Sequence, residues 1–279
     1  MQIGIFAKTF ARPTLEGVFD AVKSQGIFCV QFNMACAGLE SLPDRIESSL
    51  ATMIREAASK RQISIAAVSG TFNMTHPDVR QRRDGLRRLH VLAESCAVLG
   101  TSIITLCTGT RDPENMWRRH PDNDLPDAWR DLIETMHEAL TIADECDVTL
   151  AFEPEVSNVI DSAAKGRALL DEIKSNRLKV VMDPANLFHT GELPRMREIL
   201  DEAFALLGHS VAIAHAKDLS QDGDAGHEAA GQGVLDYDYY VKCLRRVGFD
   251  GPIILHGLTE AQVPGCVAFL REKLNMPGV

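Results

Sequence analysis

Short apolar runs alternate with amphipathic stretches along the whole chain. Ile3, Gly4, Ile5 and Phe6 read as a buried strand, and residues 15–23 then repeat their apolar positions at helical spacing. Seven further apolar runs follow, at residues 29–32, 63–68, 103–106, 148–152, 178–182, 211–214 and 252–255, with a helical segment between each and the next. Strands separated by helices predict parallel pairing through right-handed crossovers, and eight is the number that closes a sheet on itself. The expected fold is therefore an α/β protein with one (β/α)8 barrel over residues 1–279. An open doubly wound sheet is the alternative. Its dinucleotide-binding form needs G-x-G-x-x-G after the first strand, where this chain has Ala7, Lys8, Thr9 and Phe10.

Three connections exceed what a tight turn needs: residues 69–78, 108–126 and 220–235, each after a strand's C-terminal end, the face on which barrels carry their sites. At the ends of the last four strands stand Glu153, Asp183, His215 and His256. Singly, such a carboxylate is more often a helix cap and such a histidine a satisfied core or loop residue. Four ligating side chains at one end of four consecutive strands are hard to explain by capping, and they predict a mixed oxygen and nitrogen metal shell, suited to manganese, zinc, iron or cobalt better than to calcium. Glu155 and Asn158, on the loop after the fifth strand, are candidates either to bond substrate hydroxyls or to cap the next helix. Lys8, Asn33, Asn73 and Arg111 are expected to point to the same mouth. His76, His120 and His227 read as loop residues, and Trp117 and Trp129 as pocket wall or lid packing.

Composition narrows the partners. A net charge of −10 opposes binding to a phosphodiester backbone, and the arginine-rich stretch at residues 80–88 has the interleaved spacing of a solvated helix face. No run approaches the ~18 apolar residues of a membrane span, and the first residues lack a leader's basic and apolar regions. Seven dispersed cysteines without a C-x-x-C pair point to a reducing, cytoplasmic setting. The apolar residues at 267–270 read as the inner face of the last helix, and assembly into a homo-oligomer is left open.

Several runs resemble the xylose isomerase-like barrels, in particular their sugar phosphate isomerase and epimerase group: Ala151-Phe152-Glu153-Pro154-Glu155, Val181-Met182-Asp183-Pro184-Ala185-Asn186, His215-Ala216-Lys217-Asp218, Gly231-Gln232-Gly233-Val234-Leu235-Asp236-Tyr237, and the stretch from Phe249 to Leu255. The resemblance implies that Glu153, Asp183 and His215 are the first three metal ligands and that Lys217 contacts a substrate oxygen. The chain departs from the family at two places. His256 stands where relatives carry a glutamate that shares proton transfer, and Asn186 stands where many carry a histidine. His189 is too far along to replace it. The three-zinc endonuclease branch would need further ligands on early strands, which here lead into Ser69-Gly70 and Cys107-Thr108.

The resemblance implies an isomerase or epimerase of a sugar or keto-sugar derivative, working through an enediolate with one divalent ion, manganese first, with zinc, iron, cobalt or magnesium as alternatives. Glu153, His256 and Lys217 are the expected catalytic groups; Glu155, Asn158, Asn186, Lys217, Arg111 and Asn73 are the expected substrate contacts. With His256 in place of a second carboxylate, a lyase or dehydratase of a keto sugar or 3-keto glycoside competes, because elimination can use one base and a separate acid. A non-catalytic carbohydrate-binding barrel is the third reading. No glycine-rich phosphate cradle is evident, which favours an unphosphorylated substrate.

Overall fold

The structure, a computed structural model, describes residues 1–275. Eight parallel strands close into a barrel: β1 (Gln2–Phe6), β2 (Cys29–Phe32), β3 (Ser64–Ser69), β4 (Ile103–Cys107), β5 (Thr149–Glu153), β6 (Leu178–Met182), β7 (Val211–Asp218) and β9 (Pro252–Leu255). Pairing of β1 with both β2 and β9 seals the ring. The two-residue β8 (Glu228–Ala229) runs antiparallel to the end of β7, pairing Lys217 with Ala229 and Asp218 with Glu228. Helices α1 (Leu15–Ser24), α2 (Ser48–Ser59), α3 (Val79–Leu99), α4 (Pro126–Glu145), α5 (Ala163–Ile173), α6 (Met196–Leu207), α7 (Tyr237–Arg246) and α8 (Val263–Asn275) surround it.

Local chemistry sets these elements. Thr14, Asp78, Ser162 and Asp236 each accept a backbone N–H of the first turn, starting α1, α3, α5 and α7. Gly100, at φ +81°, ends α3 in the left-handed conformation. Leu15, Val18, Phe19 and Val22 form the buried stripe of α1, one side of a helix laid on the sheet. Val267 and Leu270 face inward from α8 in the same way.

Strand alternation then divides the core in two. One set of residues, including Ile5, Val30, Ile104, Leu150, Val180, Ala214 and Ile253, packs outward against the helices, while Cys29, Ala67, Ala151, Val181, Ile213 and Ile254 fill the barrel interior. Gly4 makes room for that interior layer, since a Cβ there would lie 2.5 Å from Ile254 Cδ1. Two residues further along each interior position, on the same face, come Gln31, Ser69, Glu153, Asp183, His215 and His256, a polar ring above the apolar plug.

The strands match the sequence expectation closely. The main difference is β7, which continues four residues beyond the expected 211–214, so that His215 and Lys217 are both strand residues on one face, supported by β8. The arginine stretch of α3 also departs in one place: Arg82 is buried and ion-paired with Asp131 of α4 at 3.1 Å. Among the described residues no helix is long and apolar enough to cross a membrane.

Candidate metal centre

Asp183, His215 and His256 bring one ligand atom apiece to a common point, all within 4.8 Å of one another. Three strand positions set this: Asp183 directly follows β6, His215 pairs with Ile254 in the β7–β9 ladder, and the His256 backbone N–H donates to Ala216 O at 3.2 Å. Asp183 Oδ2, His215 Nδ1 and His256 Nδ1 are buried without a hydrogen-bond partner among the described residues. Three orphaned acceptor-capable atoms from three strands in one buried spot are costly unless something fills it. A divalent cation fits this donor set.

A second carboxylate, Glu153, and a lysine, Lys217, border the triad. Glu153 Oε2 and Asp183 Oδ2 each lie 3.6 Å from His215 Nδ1, beyond hydrogen-bond length, and Lys217 Nζ stands 3.2 Å from Asp183 Oδ2 without the alignment of a hydrogen bond. The other Glu153 oxygen, Oε1, accepts from Asn186 Nδ2 at 2.6 Å. Asn186 Oδ1 in turn accepts from the Gly226 N–H at 2.9 Å, which ties the loop after β7 to the centre.

Charge placement follows from this crowding. Burial alone would lower the His215 imidazole, but the Glu153 and Asp183 carboxylates overrule it and hold it up at about 9. Burial would raise Asp183, yet Lys217 and the imidazoles keep it below the ordinary carboxylate range. The Lys217 ammonium, nearly inaccessible, is likewise opposed by burial and held charged by Asp183, Glu153 and Glu155. His256 is driven well below 6.5 by burial together with the positive charge on His215 and Lys217, so its ring is neutral. Burial, then the Glu153 charge, pushes Glu155 up to about 7.

A supporting layer holds these groups. His215 Nε2 lies 2.9 Å from Gln31 Oε1, and the Gln31 amide donates to Ser69 Oγ and Thr105 Oγ1 at 3.3 and 3.2 Å. The Tyr240 hydroxyl donates to His215 O and Met182 O, and the Tyr237 hydroxyl to Lys217 O. Asp218, buried at the end of β7, accepts the N–H groups of Leu219, Gly231 and Leu235 and thereby folds the 219–235 loop. Phe6 meets the His256 ring edge-on at 5.2 Å.

The expected site residues divide into those the barrel brings together and those it uses elsewhere. Glu153, Asp183, His215, Lys217 and His256 converge, with Glu155 and Asn186 beside them. Asn158 is fully buried between Glu155 Oε1, to which it donates at 3.1 Å, and the Gly109 N–H, which it accepts; it does not cap α5, whose cap is Ser162. Arg111 is paired with Asp131 at 2.6 Å and donates to Thr75 O. Asn73 spends its amide on Thr110 O and its carbonyl on the Thr75 and Thr110 N–H groups. Both therefore brace the loop after β4. Lys8 is exposed, and Asn33 accepts the Ala35 N–H of a short turn. His76, His120 and His227 make loop contacts. Trp129 donates to Glu172 of α5, and Trp117 is exposed.

The sequence reading missed Gln31, Ser69 and Thr105, although a glutamine inside the short buried run Cys29-Val30-Gln31-Phe32 was the available signal.

A family model described as xylose isomerase-like TIM barrel matches residues 19–272. The chain belongs to this family. Comparison with curated proteins finds no significant sequence match. Among solved structures, the chain of this barrel family resembles the 3-keto-D-glucoside 4-epimerase of E. coli (17% identity, TM-score 0.76, covering 98% of this chain and 99% of that one). It also resembles the D-psicose 3-epimerase of Clostridium cellulolyticum H10 with D-tagatose (16%, 0.75, 99% and 100%) and the IOLI protein with a binding zinc atom (17%, 0.74, 98% of each). At these identities the likeness establishes the fold.

Proposed function

We propose that this barrel is a divalent-metal-dependent isomerase or epimerase of a sugar or keto-sugar derivative. The observation that carries the reading is the convergence of Asp183, His215 and His256, with unpartnered buried donor atoms, beside Glu153 and Lys217. It is supported by the similarity of the fold to an epimerase of a keto-glucoside and one of a ketose. A bound divalent ion would polarise a substrate carbonyl and steady the enediolate left when the neighbouring C–H proton is removed. Two imidazoles and one carboxylate suit zinc, iron or cobalt; Glu153 as a fourth ligand would bring the set closer to manganese.

The chain's own groups divide the remaining work. Glu153, one oxygen held by Asn186 and the other turned toward the centre, is placed to take the proton. Lys217 presents a fixed positive charge to a substrate oxygen. Burial, with the Glu153 charge beside it, raises Glu155 to about 7, so Glu155 can hold a proton between turnovers. His256 replaces the carboxylate expected on the second face, so a second reading follows from that residue: elimination from a keto sugar or 3-keto glycoside, with Glu153 as base.

The test combines metal analysis with proton exchange. Purified protein should hold about one equivalent of a divalent transition metal and catalyse metal-dependent exchange of the C–H beside the carbonyl of ketoses or 3-keto glycosides in D2O, lost in Glu153→Gln. Return of deuterium without loss of substituent marks the isomerase; release of a leaving group marks the lyase. Failure to bind metal after reconstitution would overturn both and leave a carbohydrate-binding barrel.

A further inference from the structure

We infer that Gln31 is a positioning residue that dedicates His215 Nδ1 to metal. This rests on the metal-site reading above. Gln31 is buried, and its carbonyl oxygen accepts from His215 Nε2 at 2.9 Å. A glutamine amide can turn end for end, presenting either its oxygen or its nitrogen to a neighbour. Here its two N–H bonds are both directed elsewhere, to Ser69 Oγ at 3.3 Å and Thr105 Oγ1 at 3.2 Å. Its oxygen faces the imidazole, so the Nε2 that meets it carries the hydrogen.

A neutral imidazole protonated at Nε2 has its lone pair at Nδ1, the buried atom that has no hydrogen-bond partner and lies 3.6 Å from both Glu153 and Asp183. If the amide were reversed, its N–H would require Nε2 to accept, moving the imidazole hydrogen to Nδ1 and closing that position to a cation. Among the described residues Ser69 Oγ and Thr105 Oγ1 have no other side-chain hydrogen-bond partner. Gln31 stands with Ser69 in the polar ring directly above the apolar layer of Cys29, Ala67 and Ala151, where its oxygen meets His215 Nε2. Partners that orient a ligating histidine are worth about 10–100-fold in metal affinity.

The experiment measures zinc affinity by competition with a chromogenic chelator, together with the melting temperature of the metal-stripped protein. It compares wild type, Gln31→Leu, Gln31→Glu and the double variant Ser69→Ala/Thr105→Val. Gln31→Leu should bind zinc about 10–100-fold more weakly. Gln31→Glu, which keeps an acceptor for Nε2, should restore most of that loss. The double variant, which removes both hydroxyl anchors of the amide, should fall between, with its metal-free melting temperature separating lost positioning from lost fold. Should Gln31→Leu not fold, the double variant and Gln31→Glu decide. Zinc affinity unchanged in Gln31→Leu and in the double variant would overturn the role of Gln31 alone. No zinc binding by wild type would instead overturn the reading of the centre.

Discussion

Metal binding at this centre should compete with a proton on His215. In the metal-free protein Glu153 and Asp183 hold that imidazole up at about 9 against burial, whereas the unfolded chain has the ordinary value of 6.5. A cation needs the neutral ring. At pH 7, about two units below the folded value, displacing the proton should weaken apparent affinity by about 100-fold relative to its high-pH limit. The logarithm of the dissociation constant should fall by about one per pH unit from 6.5 to 8.5, and calorimetry in buffers of different ionisation enthalpy should show about one proton released per metal at pH 7. The same shift fixes the sign of the stability change. A pKa raised on folding contributes stability that is fully present below 6.5 and lost as pH rises through about 9, a stabilisation of roughly 3 kcal/mol. Metal-free protein should therefore weaken over that window in denaturant titrations, and added metal should restore it by taking the proton's place. Affinity flat with pH, with no proton released, would refute the reasoning, because His215 would then be either neutral before binding or no ligand.

Other consequences are testable separately. Asp131→Leu removes the carboxylate shared by the buried Arg82 and the half-buried Arg111 guanidiniums and should cost about 3–5 kcal/mol in urea unfolding, since two charges lose their partner. Gly85→Ala puts a Cβ 2.1 Å from Phe72 Cδ2 in a closed part of α3 and should cost about 1–3 kcal/mol, read as a lowered melting temperature. Asn186→Ala frees Glu153 Oε1; proton exchange should drop by less than the 10²–10⁴-fold typical of losing a general base outright, while metal content stays at the wild-type level.

The parts of the site legible in the sequence are those governed by a local rule. Strand runs with helical segments between them give the barrel, and the residue ending each late strand stands at its mouth because a strand has a period of two and the interior face is already marked by Ala151, Val181, Ile213 and Ile254. Three things were not legible. Gln31, Ser69 and Thr105 become a unit only when the ring closes and brings β2, β3, β4 and β7 around one space, which involves no fixed sequence spacing. Arg111 and Asn73 are loop residues of the type that binds sugars, but whether such a side chain faces a ligand or braces its own loop depends on partners far along the chain, here Asp131 and Thr110. The end of β7 was placed too early because it is extended by β8, a pairing of two residues that no apolar periodicity announces.

The replacement at His256 then has a structural meaning of its own. A carboxylate there would add a third negative charge to a cavity that already holds Glu153 and Asp183, with Glu155 carrying part of another. A neutral imidazole offers a ligand atom without that repulsion, and it presents nitrogen where a carboxylate would present oxygen. His256→Glu tests both effects together. Restoring the carboxylate should move metal preference from zinc toward manganese and, if the native reaction is an elimination, increase reversible proton exchange at the expense of leaving-group release. A variant that keeps the wild-type metal preference and product ratio would show that His256 is exchangeable with glutamate, and the difference from the family would then lie in the pocket around the centre and not in the centre itself.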